Sequence, residues 1–315
     1  MTKISTVSEL KKNTVSEFVK SGISSTEAVL ETEILLNFVF GITKKDLILN
    51  PDKILPAEKI KIFTKLAERR ITEKIPVQYL TNKAFFMGEE FYVDENVLIP
   101  RPETEILVEE VLRHCEAAKL LCNYPIYPGF DDKCHCEEQS DAAISLKIID
   151  VGTGSGCIAC MIAKNTKSSN ISAIDISQEA LKVAELNAEK LGVKDKITFI
   201  LSDIFENIDI NEKFDVIVSN PPYISIQEKK SLQPEVVLHE PHRALFTEDE
   251  HGLDFYKKLI PQAKERLNKN GYLAVEIGIF QSKDVAKLFE QAGFQEIKII
   301  KDYNKIDRFI IAGNF

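Results

Sequence analysis

The stretch Ile148-Ile149-Asp150-Val151-Gly152-Thr153-Gly154-Ser155-Gly156 constrains this chain more than any other. A β-prone run passes straight into three alternating glycines, and the apolar residues Cys157, Ile158, Ala159, Met161 and Ile162 follow. Glycine lets the chain turn sharply with no side chain in the way. The spacing therefore predicts a strand, a tight turn and a helix, with backbone brought close to a nucleotide-like ligand. The alternation continues downstream. Strand candidates are 148–151, 171–175, 198–201, 215–219, 272–277, 297–300 and 308–312. Helices are expected between them, at 179–191 (Ser177 as cap, Gly192 as stop) and 255–268. This pattern implies an α/β fold, a seven-stranded, doubly wound, Rossmann-like parallel sheet with helices on both faces.

Upstream the pattern differs. Residues 1–75 read as a small helical domain. Ser24 and Glu27 have capping-box spacing ahead of the apolar-periodic Val29, Leu30, Ile34, Leu35 and Phe38. Pro56 opens a helix over 57–74, with Ile60, Ile62, Phe63 and Leu66 as its inner face. Residues 76–102 read as a β-hairpin linker, aromatic and β-prone from Ala84 to Ile99, with turn signals at Met87-Gly88-Glu89. Residues 103–315 form the sheet domain. Within it, about 115–145 fits no regular pattern and reads as a surface insertion, because structureless loops of that length are uncommon in compact domains.

Hydrophobic residues make up 44% of the 315 and charged residues 28%, a soluble globular balance. No run of ~18 apolar residues suggests a membrane span, and Met1-Thr2-Lys3-Ile4-Ser5 lacks a signal-peptide core. A cytoplasmic address is expected. Disulfides are then not expected among the six cysteines. Cys157 and Cys160 read as core residues. Cys134-His135-Cys136 lacks a second ligand pair, so no metal site is expected. The net charge of −9 argues against nucleic-acid binding led by phosphate contacts. Residues through Ile75 carry +3 and the remainder −12, enough for a local docking face on the helical part.

The glycine loop narrows the ligand. A dinucleotide fingerprint needs a third glycine where Cys157 stands. The form Gly152-Thr153-Gly154-Ser155-Gly156 suits S-adenosylmethionine, which has no pyrophosphate for the helix N-terminus to bind. Asp175 ends the second strand, where an acidic group accepts hydrogen bonds from ribose hydroxyls. Asp203, after the third strand, is placed to accept from an adenine amino group, with Ile204 packed on the ring. Three successive strand ends thus present the groups such a ligand needs.

The fourth strand ends in Asn220-Pro221-Pro222-Tyr223. Two prolines fix an extended chain and withhold two N–H donors. The Asn220 side-chain oxygen and the Pro221 carbonyl can then converge as acceptors on a planar NH2 group, and Tyr223 can stack on it. An amide nitrogen is a poor nucleophile. Alignment and two acceptors that favour charge build-up on nitrogen supply the catalysis, with no general base at the outset. No histidine lies near the motif; His239 and His242 read as structural or surface residues.

With these residues in view, the chain resembles the HemK/PrmC family, protein-(glutamine-N5) methyltransferases of peptide-chain release factors. The resemblance runs through Pro76-Val77-Gln78-Tyr79-Leu80, Leu98-Ile99-Pro100-Arg101-Pro102-Glu103-Thr104-Glu105, residues 150–156, Ser219-Asn220-Pro221-Pro222-Tyr223-Ile224 and Glu276-Ile277-Gly278. The stretch 99–105 is the specific one. The resemblance implies a class I methyltransferase sheet and S-adenosyl-L-methionine held by Gly152–Gly156, Asp175, Ile204 and Asn220. It implies that Asn220 to Tyr223 grip the glutamine of the Gly-Gly-Gln loop of bacterial-type class I release factors. The helical domain would dock the release-factor body. Position 204 departs from the aromatic residue often found in the family, and the insertion lengthens a region that is often short. The alternative is an adenine-N6 or guanine-N2 methyltransferase acting on DNA or RNA, which can use the same four-residue motif.

Overall fold

The computed structural model describes residues 6–123, 145–167 and 169–314. Its elements run α1 (Val7–Lys20), α2 (Ser25–Phe40), α3 (Lys44–Leu49), α4 (Ala57–Thr72), α5 (Val77–Thr81), β1 (Ala84–Phe86), β2 (Glu89–Phe91), α6 (Thr104–Asn123), β3 (Leu146–Val151), α7 (Cys157–Asn165), β4 (Ser169–Asp175) and α8 (Gln178–Lys190). Then follow β5 (Ile197–Leu201), β6 (Phe214–Ser219), β7 (Ile224–Ser225), α9 (Pro234–His239), α10 (His242–Leu245), β8 (Phe246–Thr247), α11 (Asp254–Arg266), β9 (Leu267–Glu276), α12 (Ser282–Gln291), β10 (Gln295–Lys301) and β11 (Asp307–Gly313). Two compact units result: Met1–Lys83 with Leu232–Glu240, and Ala84–Ser231 with Pro241–Phe315.

The first unit is helical. Thr6 caps α1 in a reciprocal box with Glu9, and Ser24 accepts from the Glu27 amide to start α2. Its core gathers Val7, Leu10, Phe18, Ala28, Leu35, Leu36, Phe63 and Ala67. The buried stripes differ from those expected. In α2 the inner face is Ala28, Thr32, Leu35 and Leu36, while Val29, Leu30 and Phe38 are exposed. In α4, Ile62 is exposed and Arg70 is buried. Arg70 forks onto Glu31 at 2.8 and 3.0 Å and reaches Glu235 of α9 at 2.7 Å. A buried guanidinium needs such partners. This ion triad ties residues 232–240 to helices that lie far away in sequence, so no contiguous span could have outlined the unit.

In the second unit, β1 and β2 pair antiparallel across Met87-Gly88, both at positive φ (+49° and +78°). Phe86 and Phe91 turn into the core while Phe85 stays exposed. The hairpin is shorter than the expected linker, because 77–81 is helical and 92–103 carries no strand. Helix α6 continues to Asn123, past the point where the insertion was expected to begin, and Cys115 is buried in it. The rest of the insertion, with Cys134, His135 and Cys136, lies outside the described residues.

All seven expected strands join one sheet, in the order β10-β11-β9-β6-β3-β4-β5. Six run parallel. The exception, β11, is antiparallel to both β9 and β10, which corrects the all-parallel expectation. Five residues link β10 to β11, too few for a crossover helix, so the pair closes as a hairpin. Alternation along the strands splits the core in two. Ile148, Val216, Val218 and Phe309 face one side with α6, α7 and α8. Ile149, Ile217, Val275 and Ile310 face the other with α11 and α12. Helix α7 is buried over Cys157–Ala163, as befits a helix apolar all round. Cys157 and Cys160 are free thiols in that core, and burial pushes the Cys157 thiol up to about 12, consistent with a packing role. No described helix is long and apolar enough to cross a membrane.

Candidate active site

Strand order reverses between β3 and β6, which opens a crevice at the carboxyl edge of the sheet. A cavity of about 430 Å³ lies there, a size that suits a small ligand. Gly152, Thr153, Gly154, Ser155, Asp175, Asp203, Ile204, Asn220 and Pro222 line it, so four strand ends meet at one place. Gly156, Pro221 and Tyr223 do not line it. Glu95, Arg101, Thr104, His242 and Arg243 add walls that the sequence does not suggest; His242, expected as a structural or surface residue, is one of them. The other histidine, His239, lies in the helical unit, its ring 2.7 Å from the Glu73 carbonyl.

The loop's glycines are needed for two different reasons. Gly152 and Gly154 take φ of +75° and +55°, and a β-carbon on either would meet nothing within 4 Å. They leave bare backbone beside the cavity. At Gly156 a β-carbon would stand 2.9 Å from that of Ala184, so this glycine lets the loop pack on α8. The loop is tied down by Gly152 and Thr153 N–H groups that both donate to the Ile174 carbonyl at 2.9 Å. Asn187, wholly buried, donates to the Ser155 carbonyl at 2.9 Å and also clasps both backbone groups of Tyr92.

Asp175 accepts from Gly154 N–H through Oδ2 and from Ser177 N–H through Oδ1, each at 2.9 Å. Burial raises its carboxyl above the usual range, against those two donors and Arg243. A carboxylate still has acceptor capacity beyond two bonds. Asp203 is exposed at the rim. Ile204 is buried and takes φ +50°, a left-handed conformation that is costly for a β-branched residue, by about 1–2 kcal/mol. The strain sits in the cavity wall, as strain at ligand sites often does.

Beneath the loop, Asp150 is fully buried. Its Oδ2 accepts from the Thr153 hydroxyl at 2.6 Å and Ala159 N–H at 3.2 Å, while Oδ1 has no protein partner. Burial pushes this carboxyl to about 7. Unfolded, it would titrate near 3.8, so its ionisation opposes folding progressively from about pH 4 to about pH 7 and fully above that. Asp150→Asn should therefore flatten the loss of stability with rising pH. Urea unfolding at about pH 5 and about pH 8 checks this, and parallel pH dependences of variant and wild type would count against it.

At the end of β6, Ser219 donates to the Val151 carbonyl at 2.7 Å and holds β6 against β3. The Asn220 Nδ2 group donates to Thr104 Oγ1 at 3.2 Å, and the Thr104 hydroxyl donates to Glu276 Oε2 at 2.6 Å. The Tyr223 hydroxyl donates to Glu276 Oε1 at 3.1 Å. Pro221 is buried. Thr104 and Glu276 went unnoticed as partners because 172 residues separate them. Among the described residues, no acidic, histidine or cysteine cluster suited to a metal is present.

Comparison with known proteins fits this geometry. Residues 9–81 match the family model described as PrmC N-terminal domain, and residues 137–248 match that described as Methyltransferase small domain. The release factor glutamine methyltransferase of Flavobacterium psychrophilum is 38% identical, over 88% of both chains. That of Chlorobaculum tepidum is 35% identical, over 97% of this chain and 96% of its own. A bifunctional methyltransferase of Rickettsia felis is 38% identical over 93% of this chain, which spans 55% of that protein. Among solved structures, the hMettl16 catalytic domain in complex with the MAT2A 3'UTR hairpin 6 superposes with a TM-score of 0.51. It covers 84% of this chain and 85% of that one at 14% identity, a likeness of fold alone.

Proposed function

The chain belongs to the release factor glutamine methyltransferase family, and from that premise we propose how its cavity serves the reaction. It methylates the side-chain amide nitrogen (N5) of the glutamine in the Gly-Gly-Gln motif of class I peptide-chain release factors, with S-adenosyl-L-methionine as donor. The observation that carries this reading is that Asn220, the glycine loop, Asp175 and Ile204 all line one cavity.

The residues present fit the donor. Bare backbone at Gly152 and Gly154 leaves room where a ligand would lie against the loop. Asp175 is assigned the ribose hydroxyls, Asp203 the adenine amino group and Ile204 a face of the ring. When bound, S-adenosylmethionine supplies an electrophilic methyl group on a sulfonium sulfur. Asn220 Oδ1 and the Pro221 carbonyl are assigned the two N–H bonds of the substrate amide. They would aim its nitrogen and stabilise the positive charge that builds on it as the N–C bond forms and the methyl–sulfur bond breaks, the sulfur keeping the bonding pair and leaving as a neutral thioether; one of the two N–H protons then passes to water. Pro222 walls the cavity, and Tyr223 is assigned the outer face of the glutamine amide. The helical unit is assigned to docking the release-factor body.

Asp175→Ala is expected to weaken S-adenosylmethionine binding by roughly 1–3 kcal/mol, read by calorimetry. An unchanged Kd would remove Asp175 from the site. The function itself is tested by offering the enzyme and labelled donor either a purified release factor or DNA and RNA. Label should enter the release factor alone. Label in nucleic acid, with steep salt dependence, would point to a base methyltransferase instead.

A further inference from the structure

We infer that Thr104 and Glu276 are positioning residues that lock the Asn220 carboxamide with its oxygen toward the acceptor amide. The inference rests on the proposed role of Asn220 and deepens it.

The number of hydrogens available to donate fixes the orientation. A threonine hydroxyl has one to give. At 2.6 Å from Glu276 Oε2 it gives it to the carboxylate, which when ionised only accepts. Burial raises this carboxyl above the usual range, and the Thr104 hydroxyl, Arg308 and the Tyr223 hydroxyl act against that rise and favour the ionised form. The group of Asn220 that lies 3.2 Å from the same hydroxyl oxygen must then be the NH2, because a carbonyl oxygen there would meet a lone pair. The Asn220 oxygen is thereby turned to the opposite side. Without this relay, two orientations of the carboxamide compete. In the wrong one it presents N–H against the N–H of a substrate amide.

The fold sets the relay in place. Ser219 of β6 pairs with Val275 of β9, so the next residues lie side by side, Asn220 just past the end of β6 and Glu276 as the last residue of β9, still paired with Phe309 of β11. Thr104, the first residue of α6, is 2% exposed and Glu276 is 1% exposed. Water therefore does not compete for the carboxylate. Its second oxygen holds the Tyr223 hydroxyl, and its backbone carbonyl accepts from the Tyr256 hydroxyl at 2.7 Å. One buried carboxylate thus anchors both ends of the segment Asn220–Tyr223. The mechanism proposed above assigns this group no other task.

Three near-isosteric variants test it: Thr104→Val, Thr104→Ser and Glu276→Gln. In Glu276→Gln an amide replaces a pure acceptor, so the two hydroxyls can no longer both donate to it. Thr104→Val and Glu276→Gln should lower kcat on the release factor about 10- to 100-fold, with the S-adenosylmethionine Kd within about threefold. Thr104→Ser should restore kcat to within about threefold of wild type. A second readout needs no turnover: the side-chain NH2 signals of Asn220 in the nitrogen-15 spectrum of the full chain. Their hydrogen exchange should speed up at least about tenfold in Thr104→Val and Glu276→Gln and stay slow in Thr104→Ser. Asn220 signals that ignore all three substitutions would overturn the relay, whatever the enzyme methylates. Altered signals with unchanged kcat would overturn its role in positioning. Wild type that methylates no glutamine would instead bring down the functional reading, leaving the spectrum to decide the relay.

Discussion

Asn220→Ala should lower kcat for glutamine methylation by about a thousandfold or more while leaving S-adenosylmethionine binding within about tenfold. The reason lies in when the lost bond matters. The lone pair of an amide nitrogen is delocalised, and the N–H bonds become stronger donors only as the new N–C bond draws that pair away. An acceptor held on those hydrogens therefore acts mostly in the transition state, and its removal appears in kcat. Asn220 also lines the cavity beside the glycine loop, so a modest change in donor affinity is expected. Single-turnover methylation and calorimetry on the same preparation separate the two effects. Equal losses in both would make Asn220 a part of the donor site and not of the acceptor site.

Gly252→Ala should be nearly as damaging, by a different route. A β-carbon at 252 would stand 2.0 Å from the Tyr223 carbonyl oxygen and 2.5 Å from Gln281 Nε2, with φ already at +70°. The nearer atom is backbone and cannot swing away. Gln281 Nε2 donates to that same carbonyl at 2.8 Å and to the His251 carbonyl at 2.8 Å, while Gln281 Oε1 accepts from Gly278 N–H at 2.9 Å. Gly252 is thus the keystone where the segment after Asn220 is latched to the loop beyond β9. We expect a loss of at least about 2 kcal/mol of stability together with a large fall in kcat. Gly192→Ala is the control: its φ is +69° but nothing lies within 4 Å of the added carbon, so only the conformational cost of roughly 1 kcal/mol applies. Equal effects of the two substitutions would mean that the close approach at Gly252 is relieved at little cost.

The features readable in the sequence were those carried by neighbouring residues. Glycine spacing after an apolar strand located the crevice. Three acidic or amide residues at strand ends located what lines it, because a strand end in a doubly wound sheet has a fixed place relative to the loop. What escaped reading depends on pairs distant in sequence. Asn187 clasps Tyr92 and Ser155, and Thr104 meets Glu276, yet nothing local marks either as a partner. The direction of β11 follows from the length of its connection and not from its own composition. In α2 the apolar residues Val29, Leu30, Leu35, Leu36 and Phe38 surround the helix, so periodicity could not select which stripe would be buried. In α4 one of the three buried positions is a charge, Arg70, made tolerable by Glu31 and Glu235, which a hydrophobic pattern cannot foresee.

Glutamine methylation by this chain requires the Asn220 oxygen to meet a substrate amide beside the donor site. Its most direct test is a single incubation of the full chain with a purified class I release factor and S-adenosylmethionine, followed by fragmentation mass spectrometry of the Gly-Gly-Gln peptide. One added methyl group on the glutamine side-chain nitrogen, absent with Asn220→Ala, is the predicted result. An unmodified glutamine, or a methyl group on any other residue, would contradict it.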